Sequence, residues 1–550
     1  MNSRSNLFLA AVALVAGTTA SATDVWHDIN GYTSTTDGLL RFSVLVVGDD
    51  GRVLATGDDA LLEKYPEATR HDGEGRTVLP GLTDAHAHLY NQGLLESEVN
   101  LVGAESLDEA LERIRRYAEE NPRRAWITGR GWNQVLWEGK EFPTAADIDR
   151  VVSDRPVVLR RIDGHASWVN SRALEIAGID RDTADPVGGK ITRDKNGKAT
   201  GILVDIAMDI VGRHVPEPDK KTIRDAYRKA NASLVALGLT SIHDAGVSLE
   251  DAEVLMSMAD DGELDLRVAG MLAGAGENLD GFGEPLVAYG NDHLDIRMVK
   301  IYADGALGSR GAAMLEPYSD DPENRGLPFW TQEELDAQVR KANTRGFQVG
   351  VHAIGDLGNR MVINAFEAAQ DGQYSDIRNR IEHTQIVALD DIPRIAELGL
   401  IASMQPIHAT SDMNMAEDRV GPERIKGGYA WRRMLDAGVV LASGSDFPVE
   451  LPNPFLGLYA AVTRQDGQGM PEGGWYGDQA LTREEALHSF TLAAAYAAHQ
   501  EERLGSLEPG KWADFIVIDR DFFEVPAAEI DDIRVLETRV AGRQVYPRSQ

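Results

Sequence analysis

Eight short strand candidates, most of them apolar and separated by helical patterns, constrain the fold of this chain more than any other feature. They lie at residues 82–88, 240–243, 266–272, 297–302, 347–352, 380–383, 400–405 and 439–445. Such runs suit strands buried on both faces, and strands that alternate with helices build a parallel sheet. Eight is the number that closes the sheet into a (β/α)8 barrel. The expected class is α/β, a TIM-like barrel whose site opens at the carboxyl ends of its strands.

Those ends carry a chemical pattern. The run Leu82-Thr83-Asp84-Ala85-His86-Ala87-His88 follows Pro80-Gly81 and finishes on two histidines. At i and i+2 on a strand, two imidazoles face the same way and can bind one metal ion. Val349-Gly350-Val351-His352 and Arg380-Ile381-Glu382-His383 each end in a histidine, and Val440-Leu441-Ala442-Ser443-Gly444-Ser445-Asp446 reaches an aspartate. A lone histidine at a strand end is more often a packing residue. Four of them with an aspartate, all on the functional face of one barrel, read as metal ligands. The chain has no cysteine, so disulfides, thiolate ligands and a cysteine nucleophile are excluded and a metal must be held by nitrogen and oxygen. Gly444-Ser445-Asp446 is not a nucleophile elbow, which sets a serine hydrolase aside.

The rest of the 550 residues frame this barrel. Arg4, the apolar residues 7–17 and Ala20-Ser21-Ala22 form the pattern of a secretory signal over residues 1–22, with a mature start near Thr23 and a periplasmic destination. No membrane association is expected after cleavage. Strand-like segments at 41–57, 513–518 and 535–546 suggest a small β-sandwich built by both termini, from residues 23–80 and 491–550. The barrel then spans 81–490. The stretch from about 93 to 236 is too long for one βα unit and reads as an inserted subdomain with a hairpin at 188–197. A net charge of -33 excludes nucleic acid and anionic lipid as partners.

The strand-end pattern resembles the amidohydrolase superfamily, and more closely its amidohydrolase-3 branch, which includes N-substituted formamide deformylases. Gly131-Trp132-Asn133-Gln134, Asp163-Gly164-His165, Val299-Lys300-Ile301-Tyr302-Ala303-Asp304-Gly305 and Gly505-Ser506-Leu507-Glu508-Pro509-Gly510 also look like that branch. The likeness runs from about residue 24 to the end. It implies that His86, His88 and Asp446 hold the more buried of two divalent ions, zinc in the first instance, and that His352 and His383 hold the second. Lys300 would bridge them as a carbamate, since a plain ammonium has no lone pair to offer. If Lys300 instead pairs with Asp304, the site carries one metal. The reaction implied is hydrolysis of a C–N amide bond in an N-acyl or N-formyl amine. The ion makes hydroxide available near neutral pH, and Asp446 moves a proton from water to the leaving nitrogen.

Other residues carry two readings each. His165 could stabilise an oxyanion or be structural. His243 and Asp244 could orient ligands from behind. Arg310, in a glycine-rich loop, could grip a carboxylate or be solvated. Trp132 and Trp137 could line an apolar pocket or pack the insertion, and His408 could face the mouth. The expected partner is a small-molecule amide, and a homodimer is left open. Two competing functions remain at this stage: the same site acting on a lactone or phosphoester, and a non-catalytic exported binding protein.

Overall fold

The computed structural model describes residues 22–548 except 163, 165, 187, 188 and 217. All but the last residue of the segment read as an export signal lies outside the described residues, as does His165. The eight strand candidates are the eight strands of one parallel barrel sheet: Leu82–Ala87, Leu239–Val247, Arg267–Ala273, Leu294–Tyr302, Gln348–Ala353, Arg380–His383, Ile401–Met404 and Val440–Ser443. Each pairs with the next in that order. They are called barrel strands one to eight below.

Alanine and a few larger apolar side chains pack part of the barrel interior. Ala245, Ala269, Met271, Met298 and Ala498 form one cluster, and Ala85, Ile401, Ala442, Ala494 and Ala497 another. The segment around Leu492–Ala497 reaches the amino end of the sheet, where Gln348 donates to the Ala497 carbonyl at 2.9 Å.

Closure between strands one and eight uses the chain just beyond strand eight. The Asp446 N–H donates to the His86 carbonyl at 2.7 Å, and the His88 N–H to the Phe447 carbonyl at 2.9 Å. The buried Asp84 carboxylate accepts from the Ser445 N–H at 3.0 Å, the Ser445 hydroxyl at 2.6 Å and the His86 N–H at 3.1 Å. Gly444 lies where these meet: a Cβ there would sit 2.5 Å from both Asp84 Oδ1 and the His86 nitrogen. Any side chain would force the seam apart. The seam therefore registers His86, His88 and Asp446 against one another.

Between strands one and two, a separate six-stranded sheet runs from Val99–Asn100 to Ala199–Asp205, with cores of its own. Helix Lys220–Val235 is not part of it. Ile223, Tyr227 and Leu234 on that helix belong to the barrel core, so the separate sheet is shorter than the stretch 93–236. Outside the barrel, strands from both termini pair in one six-stranded sheet, Phe515–Ile518 lying against Thr77–Pro80. A four-stranded N-terminal sheet packs over it, with Trp26 edge-on to Phe515 at 5.1 Å. The β domain is tied to the barrel by Arg267, which is 1% exposed and grips Asp514 through two bonds of 2.6 and 3.0 Å.

Candidate active site

Strand parity places His86 and His88 on the same side at the end of strand one. His86 is held from behind. Its Nδ1 lies 2.6 Å from Glu382 Oε2, and Glu382 in turn accepts from Arg380 Nε at 2.9 Å and Nη2 at 3.1 Å. A carboxylate on Nδ1 makes that nitrogen the donor and leaves the Nε2 lone pair facing the mouth. His383 is fixed in the same manner by Gln405, whose Oε1 lies 2.8 Å from its Nδ1.

Backbone conformation brings in the other groups. Glu382 and His383 are consecutive on a strand and should point to opposite faces. His383 has φ +73°, so the strand turns there and both side chains enter the barrel. Asp446 likewise sits in the left-handed region at φ +60°. Its Oδ1 lies 3.1 Å from His88 Nε2 and 3.7 Å from His86 Nε2, and its Oδ2 lies 3.9 Å from His408 Nε2.

Burial sets the protonation. It lowers His86 to about 4 and His352 to about 3, and it holds His383 well below the usual histidine range. The Lys300 ammonium pushes all three further in that direction. Burial raises the Asp446 carboxyl, but the His88 hydrogen bond and the nearby imidazoles outweigh it and keep the group well below the usual carboxylate range. Neutral imidazoles around an ionised carboxylate are the state in which these residues bind a cation.

Among the described residues, two groups of three have ligand atoms all within 4.8 Å of one another: His86, His88 and Asp446, and His383, His408 and Asp446. Donor atoms sharing one tetrahedral ion at bonds of about 2.1 Å lie roughly 3.4 Å apart, and the Asp446 separations above bracket that spacing. His352 Nε2 and His408 Nε2 are buried with no hydrogen-bond partner among the described residues. A neutral ring nitrogen left without a partner in a buried site is costly unless something binds it. The donor set fits a divalent cation.

Residues 71–546 match the model of the amidohydrolase family. The chain belongs to that family. It is 34% identical over 545 residues to Protein LONG AFTER FAR-RED 3 of Arabidopsis thaliana, covering 94% of this chain and 91% of that protein. It is 28% identical over 546 residues to the N-substituted formamide deformylase of Arthrobacter pascens, covering 95% and 98%. Among solved structures, an uncharacterized metal-dependent hydrolase from Pyrococcus horikoshii OT3 superposes with a TM-score of 0.77 at 29% identity, covering 92% of this chain and 99% of that one. A metal-binding hydrolase on a TIM-like barrel is the class these findings support.

Within this amidohydrolase the remaining sequence candidates separate. His408 was read only as a residue of the mouth; helix Pro406–Asp412 begins directly after strand seven and carries it to His383 and Asp446. His352 packs edge-on against His383 at 4.6 Å but is outside both groups of three. His243 supports the site at one remove: its Nδ1 accepts from Arg380 at 2.8 Å, and Arg380 holds the Glu382 that holds His86. Asp244 accepts from the Leu89 N–H at 3.2 Å, beneath the helix that starts after His88. Lys300 is 1% exposed with its Nζ 3.5 Å from His86 Nε2. It does not pair with Asp304, whose carboxylate instead accepts the N–H groups of Ala313, Ile354 and Gly355 at 2.8, 3.0 and 2.8 Å.

Three candidates are corrected. Trp132 does not line a substrate pocket, because it is 0% exposed in a cluster with Trp137, Trp168 and Phe142, its indole N–H on the Leu159 carbonyl. Trp137 packs in the same cluster. Arg310 is not free to grip a substrate carboxylate, because Asp320 occupies its guanidinium through bonds of 3.1 and 2.9 Å.

Proposed function

We propose that this chain hydrolyses the C–N bond of an N-acyl or N-formyl amine. The observation that carries the reading is the convergence of His86, His88, His383, His408 and Asp446 on one mouth, with ring nitrogens oriented or left unpartnered as ligands require. The similarity to a formamide deformylase over 95% of the chain supports a C–N bond as the target. A divalent cation held by these residues, zinc in this proposal, would supply Lewis-acid polarisation of the carbonyl and a water acidic enough to attack near neutral pH.

The chain's own part is proton movement and positioning. Asp446 accepts the proton of the attacking water and delivers it to the departing nitrogen as the C–N bond breaks. That second transfer matters, because an unprotonated amide nitrogen is a very poor leaving group. Glu382 and Gln405 hold the imidazoles in register throughout. The test is a panel of formamides, N-acyl amino acids, lactones and phosphotriesters given to the zinc-loaded protein. Fastest turnover of a formamide or N-acyl amine is expected; faster lactone or phosphotriester hydrolysis overturns the reading.

Lys300 is proposed as a carbamate joining two ions. A buried ammonium needs a counter-charge, yet no carboxylate forms an ion pair with Lys300 among the described residues, and its Nζ lies 3.5 Å from the His86 ring. Carbamylation would turn it into an anionic oxygen donor beside His86. Lys300→Ala is expected to lower bound metal from two ions per chain towards one, with activity partly restored by added short carboxylic acids. Two tightly held ions in the alanine variant, counted by elemental analysis, would refute the bridge.

A further inference from the structure

Next to the ligand cluster, the ends of strands two, three and four leave a cleft of about 470 Å³, within the range of small-molecule sites, roughly 300–1,000 Å³. Its walls are nearly all carbon. Strand two contributes Ala245 and Gly246, and strand three ends in Ala273-Gly274-Ala275-Gly276. Four consecutive residues without a side chain beyond Cβ keep this corner of the mouth open. Opposite them stand Tyr302, Phe329 and Trp330.

The cleft borders the site at Lys300 and Gly246. Lys300, 3.5 Å from His86, lines its floor, and a Cβ on Gly246 would lie 3.7 Å from His88 Nδ1. The aromatic wall is anchored, with the Trp330 indole N–H on the Tyr302 carbonyl and the Phe329 N–H on the Ala303 carbonyl, each at 2.8 Å. Yet the Phe329 side chain is 55% exposed and the neighbouring Leu327 68%. An anchored loop that presents apolar side chains to water beside a carbon-walled cleft has apolar surface to cover, as ligand sites commonly do.

Resting on the amide-hydrolase reading, we propose that the substrate carries an uncharged apolar group, of aryl or short-alkyl size, that lodges in this cleft while its amide lies on the ligand cluster. Phe329 and the small residues at the end of strand three are then its specificity-determining residues. The apolar group could be attached to either the nitrogen or the carbonyl carbon.

The experiment measures kcat/KM for two series on the zinc-loaded protein: N-alkylformamides from methyl to hexyl, and N-methylamides from formyl to hexanoyl. One series should rise roughly fourfold per methylene, the transfer value for a buried CH₂ of about 0.8 kcal/mol; the rising series identifies the side of the amide that enters the cleft. Ala273→Leu, which fills the cleft, and Phe329→Ala, which removes a wall on an exposed loop, should each flatten that slope. Two flat series in an active enzyme, or an unchanged slope in both variants, overturn this proposal and leave the amide-hydrolase reading intact. If no amide is turned over, ligand-observed NMR with benzyl alcohol decides alone: binding by wild type that Ala273→Leu abolishes supports the cleft, and equal or absent binding in both refutes it.

Discussion

The variant Asp446→Asn is expected to lose about 10² to 10⁴-fold in kcat on an amide, the usual worth of general acid–base catalysis. Asparagine keeps the shape of the side chain and one oxygen donor, but it cannot take up a proton. Asp446 belongs to both groups of ligands, so its metal role and its proton role must be separated. Metal content and KM report the first, and the kcat ratio between an amide and an ester with a good leaving group reports the second. The ester needs little protonation on departure and should suffer less. If the variant cleaves amides at near wild-type rate with full metal occupancy, the aspartate is only a ligand.

The second large effect is expected from Glu382→Ala. Glu382 and Arg380 are both without exposed surface, and the guanidinium also reaches the Ala85 carbonyl at 2.6 Å and the Ser403 hydroxyl at 2.9 Å. Removing the carboxylate leaves a buried cation uncompensated, at a cost of about 3–5 kcal/mol in stability. It also frees the His86 ring to turn, and loss of such an orienting partner typically weakens metal binding about 10- to 100-fold. Glu382→Gln keeps the volume and should lose less of both. Urea unfolding gives the first quantity through the midpoint and slope, and competition with a chelator gives the second. An alanine variant that unfolds at the wild-type midpoint and retains its metal affinity would show that the Arg380–Glu382 pair is incidental to the site.

The barrel was legible because its signal is repeated. Most strands are runs of largely apolar residues, and ligand-type residues recur at strand ends, where the fold places its chemistry. His86 and His88 needed only the parity of a strand. The Arg380–Glu382 pair was not legible as a ligand support, because charged residues at i and i+2 on a strand ordinarily mean a solvated face; here that face is the barrel interior. Nor does parity predict His383 beside Glu382, since the turn comes from a backbone angle of +73°. His408 lay on a helix, outside the strand-end rule, although Gln405-Pro406 marked a sharp turn at the mouth. Arg310 and Asp320 are ten residues apart, and only the folded loop joins them. Trp132 was ambiguous in sequence because an aromatic residue packs a core as readily as it lines a pocket.

The central claim is that these side chains gather a divalent ion for hydrolysis. Anomalous diffraction at the zinc absorption edge, from crystals of the zinc-loaded protein, tests it most directly. The account predicts density within about 2.0–2.3 Å of ligand atoms of His86, His88 and Asp446, the range of zinc bonds to nitrogen and oxygen. It predicts a second peak beside His383, shared with Asp446 and with His352 or His408. Absence of any anomalous peak at these residues, in protein that still hydrolyses its substrate, would contradict it.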